Sequence, residues 1–216
     1  MRVKTTAILI LLTFMGVTLS GCPSFKREPN SYYHLTILDT TNKDGGDKDS
    51  PTIQTATVKN DLMRASIRPV VSFDGEKNVP LLLRQLLALQ FLILEFTIEN
   101  SSQKLIIYNP SHTAILAGKM DYKKPLDYAK LYFTVRDISE EDTENARMRA
   151  LRTIKGTFHD LNTRVNPGET VSKYLIFKPL DQDTLSGNAI LRMQELYVGT
   201  EALAITFPLE VTHTPL

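Results

Sequence analysis

The chain has 216 residues and is almost electrically neutral, with 25 Lys or Arg against 24 Asp or Glu and a single cysteine. This size suits one domain with enough apolar residues for a core. Neutral charge and dispersed bases argue against nucleic acid as a partner. One cysteine excludes a disulfide framework and a cysteine-rich zinc cluster.

The N-terminus reads as a targeting segment. Arg2 and Lys4 precede an apolar stretch over residues 7–15 that is too short for a stable membrane span. Small residues follow it and lead to the cysteine. We therefore expect residues 1–21 to form a signal peptide that is removed. An ordinary signal peptide with a chance cysteine, or an uncleaved N-terminal anchor, are the alternatives.

The sequence Leu19-Ser20-Gly21-Cys22 resembles the lipobox of bacterial lipoproteins. The resemblance implies cleavage between Gly21 and Cys22 and a diacylglyceryl group on the Cys22 thiol, with further acylation such as palmitate. Two or three acyl chains give a lasting membrane anchor. It also implies a location in the bacterial cell envelope. If the bacterium is Gram-negative, outer-membrane placement is slightly favoured, because Pro23 is not the aspartate linked to inner-membrane retention.

The anchored part of the chain begins with a short polar tether, residues 22–30, and continues as one domain, residues 31–216. Aromatic and β-branched residues predict a first strand over 32–38, and the polar, glycine-containing stretch 39–51 predicts a loop. Further strands are predicted over 53–59 and 66–73.

Residues 79–100 are rich in leucine and could suggest a membrane helix. Arg84 and Glu95 argue against a span, since charges at the centre of a bilayer are costly. From Leu92 onward apolar residues alternate with Glu95, Thr97 and Glu99, which predicts a long core strand. A short helix over 81–89 is the alternative for the first half.

The remaining elements are mostly short strands separated by turn signals. Strands are predicted over residues 105–108, 113–116, 131–135 and 171–177, and a closing hairpin over 190–198 and 203–211. Between them, residues 139–155 predict one inserted helix, because acids come first, bases follow and Gly156 can end it. Asn166-Pro167-Gly168-Glu169 fits a type II turn.

This pattern predicts a mainly β fold, an immunoglobulin-like antiparallel β-sandwich carrying that helix. The segments Phe96 to Asn100, Ile106 to Pro110 and Asn166 to Thr170, leading into Tyr174 to Phe177, resemble extracellular immunoglobulin-like domains of bacterial lipoproteins of unknown function. They are also similar to secreted proteinase-inhibitor domains of the same sandwich type. The resemblance implies an adhesion, scaffold or assembly role without catalytic residues.

No catalytic, cofactor or metal site is predicted. His34, His112, His159 and His213 are scattered, without local ligand spacing. Ser111 beside His112 lacks the glycine pattern of a nucleophile elbow. The acidic loop does not match the spacing of an EF-hand, so we interpret it as a solvated loop; its acidic and amide residues are Asp39, Asn42, Asp44, Asp47 and Asp49.

The expected function is therefore that of a membrane-anchored, non-catalytic protein-binding or assembly module whose partner is another envelope protein. The predicted helix either only packs on the sandwich, through Ala146, Met148, Leu151 and Ile154, or also offers a docking surface. A protease inhibitor is the alternative, with an exposed loop at 39–51 or 119–125. An enzyme would require a pocket with titratable groups.

Overall fold

A computed structural model of the chain describes residues 31–37, 55–117, 121–138, 144–159, 162–180 and 187–215. The predicted signal peptide, the predicted tether with Cys22 and the predicted loop 39–51 lie outside these residues. The elements in chain order are β1 Ser31–Ile37, β2 Ala56–Lys59, β3 Met63–Pro69, α1 Leu81–Ala88, β4 Leu92–Asn100, β5 Ile106–Tyr108, a 3-10 turn Pro110–His112, β6 Thr113–Ala117, β7 Asp121–Lys123, α2 Tyr128–Ile138, α3 Glu144–Ile154, β8 Thr163–Val165, β9 Thr170–Phe177, β10 Gly187–Val198 and β11 Glu201–Pro215.

Two antiparallel sheets pack face to face. The larger sheet has the order β1-β11-β10-β5-β8, with β6 also pairing with β10 and β7 pairing with β6. The smaller sheet has the order β2-β3-β4-β9. The predicted mainly β, immunoglobulin-like sandwich is confirmed, and Ser31–Leu216 forms one compact unit.

The main core fills the space between the sheets. On β4, Leu92, Leu94, Phe96 and Ile98 are buried and the intervening acids are less so, as the alternation predicts. Strand β11 repeats the pattern with Ile205, Phe207, Leu209 and Val211. Phe96 lies at the centre, with its ring 5.0 Å from that of Tyr108 and 6.4 Å from that of Phe207. Period-two burial on both sheets thus produces one closed apolar layer.

A second apolar cluster, the helical core, joins the three helices to the outer face of β4 and β9. Its central members are Leu83, Leu86, Leu131, Val135, Leu151, Ile154, Ile93 and Ile176. The predicted inserted helix is present over Glu144–Ile154, and the part of the prediction at 139–143 lies outside the described residues. Leu151 and Ile154 are fully buried and Met148 is partly buried, as predicted.

One helix occurs where a strand was predicted, and another occurs where a helix was the alternative. The strand prediction for 131–135 is wrong, because this segment lies within α2. Leu131 and Val135 are buried one helical turn apart, while Phe133 between them is 52% exposed. A strand would place all three on one face. In the region 79–100 the strand begins only at Leu92, and the short helix that was the alternative is α1.

The turn Asn166 to Glu169 connects β8 to β9 and has the predicted geometry. The Asn166 carbonyl accepts from the Glu169 amide at 2.9 Å, and the Glu169 carboxylate accepts from the Asn166 amide at 2.8 Å. Gly168 has φ +75° and its amide donates to the Asn100 carbonyl at 2.9 Å. The turn therefore fixes β8 and β9 against the end of β4.

We expect Gly168→Ala to lower the free energy of unfolding by about 1 to 2 kcal/mol, because an L side chain is strained at this φ. Open space surrounds the position, so the cost is conformational rather than steric. Urea unfolding checks the value. Gly168→Asn is the control and should cost less, since asparagine tolerates the left-handed region. Equal losses in both variants would contradict this explanation.

Candidate functional site

The sequence-predicted anchor, Gly21 and Cys22, lies outside the described residues and stays a prediction. The same holds for the loop 39–51. The other loop proposed for protease inhibition is partly described: Asp121–Lys123 forms β7, which pairs with β6. Tyr122 on this strand is exposed, with the Lys124 ammonium 5.8 Å from its ring centroid. This segment is thus a sheet edge rather than an extended loop at those three residues.

The four histidines are distributed over several elements of the fold. His112 pairs with Glu195 at 3.1 Å on the surface, and His159 is fully buried. His34 and His213 lie on the paired strands β1 and β11. Across the described ranges, no group of three or more His, Cys, Asp or Glu residues is arranged to hold a metal ion. The same part of the chain contains no helix long and apolar enough to cross a bilayer.

His159 forms a polar centre inside the sandwich. Its Nε2 lies 3.2 Å from the Phe96 carbonyl, which can only accept, so Nε2 carries the proton. The Thr163 hydroxyl then donates to Nδ1 at 2.8 Å. Burial lowers the pKa of His159 to about 3; the Phe96 carbonyl opposes this shift, and the positive charge of Lys173 adds to it. The imidazole is therefore neutral, with both nitrogens satisfied.

Tyr108 completes this centre. Its ring stands edge-on to the His159 ring at 5.1 Å, and its hydroxyl is 2.7 Å from the Thr113 hydroxyl. Burial raises the pKa of Tyr108, although the hydrogen bond to Thr113 opposes the shift. Both rings are closed off from solvent. The group contributes hydrogen bonds and packing, and offers no surface to a substrate.

The exposed polar groups of the smaller sheet neutralise one another. Arg68 contacts Glu95 at 2.6 Å, and the Ser172 hydroxyl donates to the other Glu95 oxygen at 3.0 Å. Burial raises the pKa of the neighbouring Tyr174, and the charges of Glu76 and Glu95 raise it further while Arg68 opposes them. Within this network the charge of Arg68 is opposed by that of Glu95 and, at 3.8 Å, by that of Glu76.

A different surface lies on α2 and α3. We define the helical face as Phe133 and Arg136 of α2 with Arg149 and Arg152 of α3, all exposed. The Arg136 guanidinium stacks 5.2 Å from the Phe133 ring centroid. Within the described residues, Arg149 and Arg152 form no ion pair. The helical face therefore joins an exposed aromatic ring to exposed cationic side chains.

Local packing fixes the two helices of this face. The Tyr132 hydroxyl donates to the Glu144 carboxylate at 3.2 Å, which links the middle of α2 to the start of α3. The Tyr132 ring also meets the Phe133 ring edge-on at 5.5 Å. Leu131 and Leu151 are buried in the helical core beneath them. The outward side chains thus stand on a rigid base.

Sequence reasoning found α3 as a possible docking surface but missed Phe133 and Arg136. The strand predicted for 131–135 would place Phe133 on the same face as Leu131 and Val135. The available signal was the four-residue spacing of Leu131 and Val135, which suits a helix equally well. Such a short apolar run does not distinguish the two-residue period of a strand from the 3.6-residue period of a helix.

Two depressions open at the surface near α1. One is a small cavity of about 80 Å³ lined by Leu35, Val70, Leu87 and Phe91 among others. The other is a wide, shallow depression of about 300 Å³ that includes Phe73, Asp74 and Arg84. The residues that line the small cavity are mainly apolar, whereas the lining of the shallow depression also includes Ser72, Asp74 and Arg84.

Comparison with known proteins finds no match. No protein-family model matches the chain, and no curated protein and no solved structure is significantly similar to it.

Proposed function

We propose that this protein is a lipid-anchored lipoprotein of the bacterial cell envelope and a non-catalytic binding module. The anchor would be the acylated Cys22 of the lipobox. The module would hold another envelope protein through the helical face. Assembly at the membrane, rather than chemistry, is the role that this combination supports best.

The observation that carries the binding role is the exposed Phe133 ring with Arg136 stacked on it, beside a neighbouring helix, α3, that carries the exposed Arg149 and Arg152. Aromatic and arginine side chains dominate the energy of protein interfaces. Because Arg149 and Arg152 form no ion pair with any described residue, we expect the complementary partner surface to be acidic. The rigid packing of α2 on α3 lowers the entropy that binding must overcome.

The test is photocrosslinking in intact cells with p-benzoylphenylalanine in place of Phe133. We expect one specific envelope protein to be crosslinked. Reversing two charges, Arg149→Glu with Arg152→Glu, should lower the yield at least about tenfold, since close charge pairs at interfaces couple by more than about 1.5 kcal/mol. Western blotting of the crosslinked band, normalised to the amount of membrane protein, gives the yield.

The matched control is Lys59→Glu with Arg64→Glu. These exposed residues pair on β2 and β3, and Arg64 faces Glu99, six residues along β4 from the helical core residue Ile93. The control makes the same charge change and should leave the yield unaltered. An equal loss in both double variants, or no crosslink from position 133, would contradict docking at the helical face. A crosslinked protease that the protein inhibits would support the inhibitor instead.

A further inference from the structure

Helix α1 carries apolar residues on the side that faces solvent, on either side of the exposed Gln85. Its buried side chains are Leu82, Leu83 and Leu86, yet Leu81 is 68% exposed and Leu89, just after the helix, is 46% exposed. Ala88 and Val71 are exposed beside them, Val71 by 56%. We call Val71, Leu81, Ala88 and Leu89 the α1 face. Its large apolar side chains are additional to the three leucines through which α1 packs on the domain.

The two surface depressions belong to the same region. Val71 and Leu87 line both of them, and Ala88 lines the wider one. The smaller one reaches β1 at Leu35. Apolar surface therefore continues from α1 to the first strand of the domain. Asp74 and Arg84 also line the wider depression and carry opposite charges.

The tether places this surface within reach of the proposed anchor. Leu35 is four residues from Ser31, at most about 14 Å along a strand. Cys22 is nine residues before Ser31, which an extended chain spans in about 30 Å at most. Lys26 and Arg27 lie in the tether, and basic residues there are attracted to anionic headgroups.

Other occupants fit the α1 face less well. The loop 39–51 that follows β1 consists of charged, small polar and glycine residues with one proline, so it offers no apolar complement. A protein interface of ordinary size needs about 800 Å² per partner, with a large buried centre. Two protruding leucines and a valine suit the interfacial layer of a bilayer, where small apolar insertions suffice.

We propose that the α1 face rests in the interfacial layer of the membrane that carries the anchor, with Leu81 and Leu89 inserted among the headgroups. This proposal depends on the lipid anchor at Cys22 proposed above. The anchor makes the contact intramolecular, so a face too weak to bind a vesicle alone is held there by effective concentration. The contact fixes the orientation of the domain on the bilayer.

A site-specific probe tests the contact. Because Cys22 is the only native cysteine and its thiol carries lipid in the mature protein, an introduced cysteine is labelled alone. We would place the environment-sensitive dye NBD at Gln85→Cys, which is exposed between Leu81 and Leu89. The lipidated protein is reconstituted in phosphatidylethanolamine–phosphatidylglycerol vesicles. We expect a blue-shifted emission that spin-labelled lipids quench.

The control probe is Lys59→Cys, which should keep the emission of a water-exposed dye and resist quenching. Adding Leu81→Asp and Leu89→Asp to the Gln85 probe should restore the water-exposed emission; neither leucine is in the core, so the fold tolerates both changes. Persistence of quenching in that variant would overturn the proposal. A blue shift without lipid quenching would mean that protein covers the face and would overturn it as well.

The test separates the two proposals on which it bears. Vesicle flotation is measured first. A protein that does not float with the vesicles contradicts the anchor at Cys22. If the protein floats but its Gln85 probe is water-exposed and unquenched, the anchor at Cys22 is retained and only the proposed contact of the α1 face with the membrane is overturned.

Discussion

The free energy of unfolding should fall steeply as the pH drops from about 6.5 towards 3, and His159 should account for much of that fall. The pKa of His159 is lowered by burial from 6.5 to about 3 in the folded protein. Between these values the unfolded chain binds a proton that the folded protein does not. Stability therefore rises with pH in this window and is lost on acidification.

The expected loss from His159 alone is about 2 to 3 kcal/mol at pH 4.5, at roughly 1.4 kcal/mol per pH unit. Urea unfolding at pH 7 and pH 4.5 measures it. His159→Gln removes the titration but keeps a donor for the Phe96 carbonyl. We expect that variant to be less stable at pH 7 and its pH dependence to be flatter by the same 2 to 3 kcal/mol.

The matched control for this prediction is His112→Gln, because His112 is a surface histidine paired with Glu195. It should change the pH dependence far less than His159→Gln. Parallel pH profiles for the wild type and His159→Gln would show that His159 does not titrate as a buried group.

Removing the central ring of the main core should have an effect of similar size. We expect Phe96→Ala to lower the free energy of unfolding by about 3 to 5 kcal/mol, from lost apolar burial and the cavity left behind. Phe96 is fully buried and its ring contacts those of Tyr108, His159 and Phe207. Urea unfolding at pH 7 gives the value.

Phe133→Ala serves as the comparison because it removes the same side chain from the surface. It loses the stacking with Arg136 but little burial, so its cost should stay below about 1 kcal/mol. A loss from Phe133→Ala as large as that from Phe96→Ala would contradict the assignment of Phe96 to the core and of Phe133 to the surface.

Strands with one solvent-exposed face were predictable, because apolar and polar residues alternate along them as their side chains alternate between the core and solvent. Strands β4 and β11 show this, and the Asn166 to Glu169 turn was equally readable, since proline and glycine fix its dihedral angles. Helix α2 was not predictable. Leu131, Phe133 and Val135 are apolar at alternate positions, which suits a strand, although the spacing of Leu131 and Val135 also suits a helix. Tertiary packing on Ile93 and Ile176 decided between these patterns.

The candidate surfaces were less predictable than the fold. A charged helix over 139–155 could be foreseen, because acids come first and bases follow, but the surface beside it depends on how α2 packs against α3. His159 was indistinguishable in sequence from the exposed His112, because only the fold surrounds it with Phe96 and Tyr108. Leu81 and Leu89 are likewise exposed because a different side of α1 packs on the helical core. The local sequence does not specify which side that is.

The lipid anchor proposed at Cys22 can be tested directly on the mature protein. The measurement is the intact mass of the protein from washed membranes, beside that of Cys22→Ala. We predict a wild-type mass that lacks residues 1–21 and carries a diacylglyceryl and further acyl groups on Cys22, with Cys22→Ala left as unprocessed precursor or released in soluble form. An unmodified wild-type mass, together with an unchanged mass and membrane fraction for Cys22→Ala, would contradict the lipid anchor.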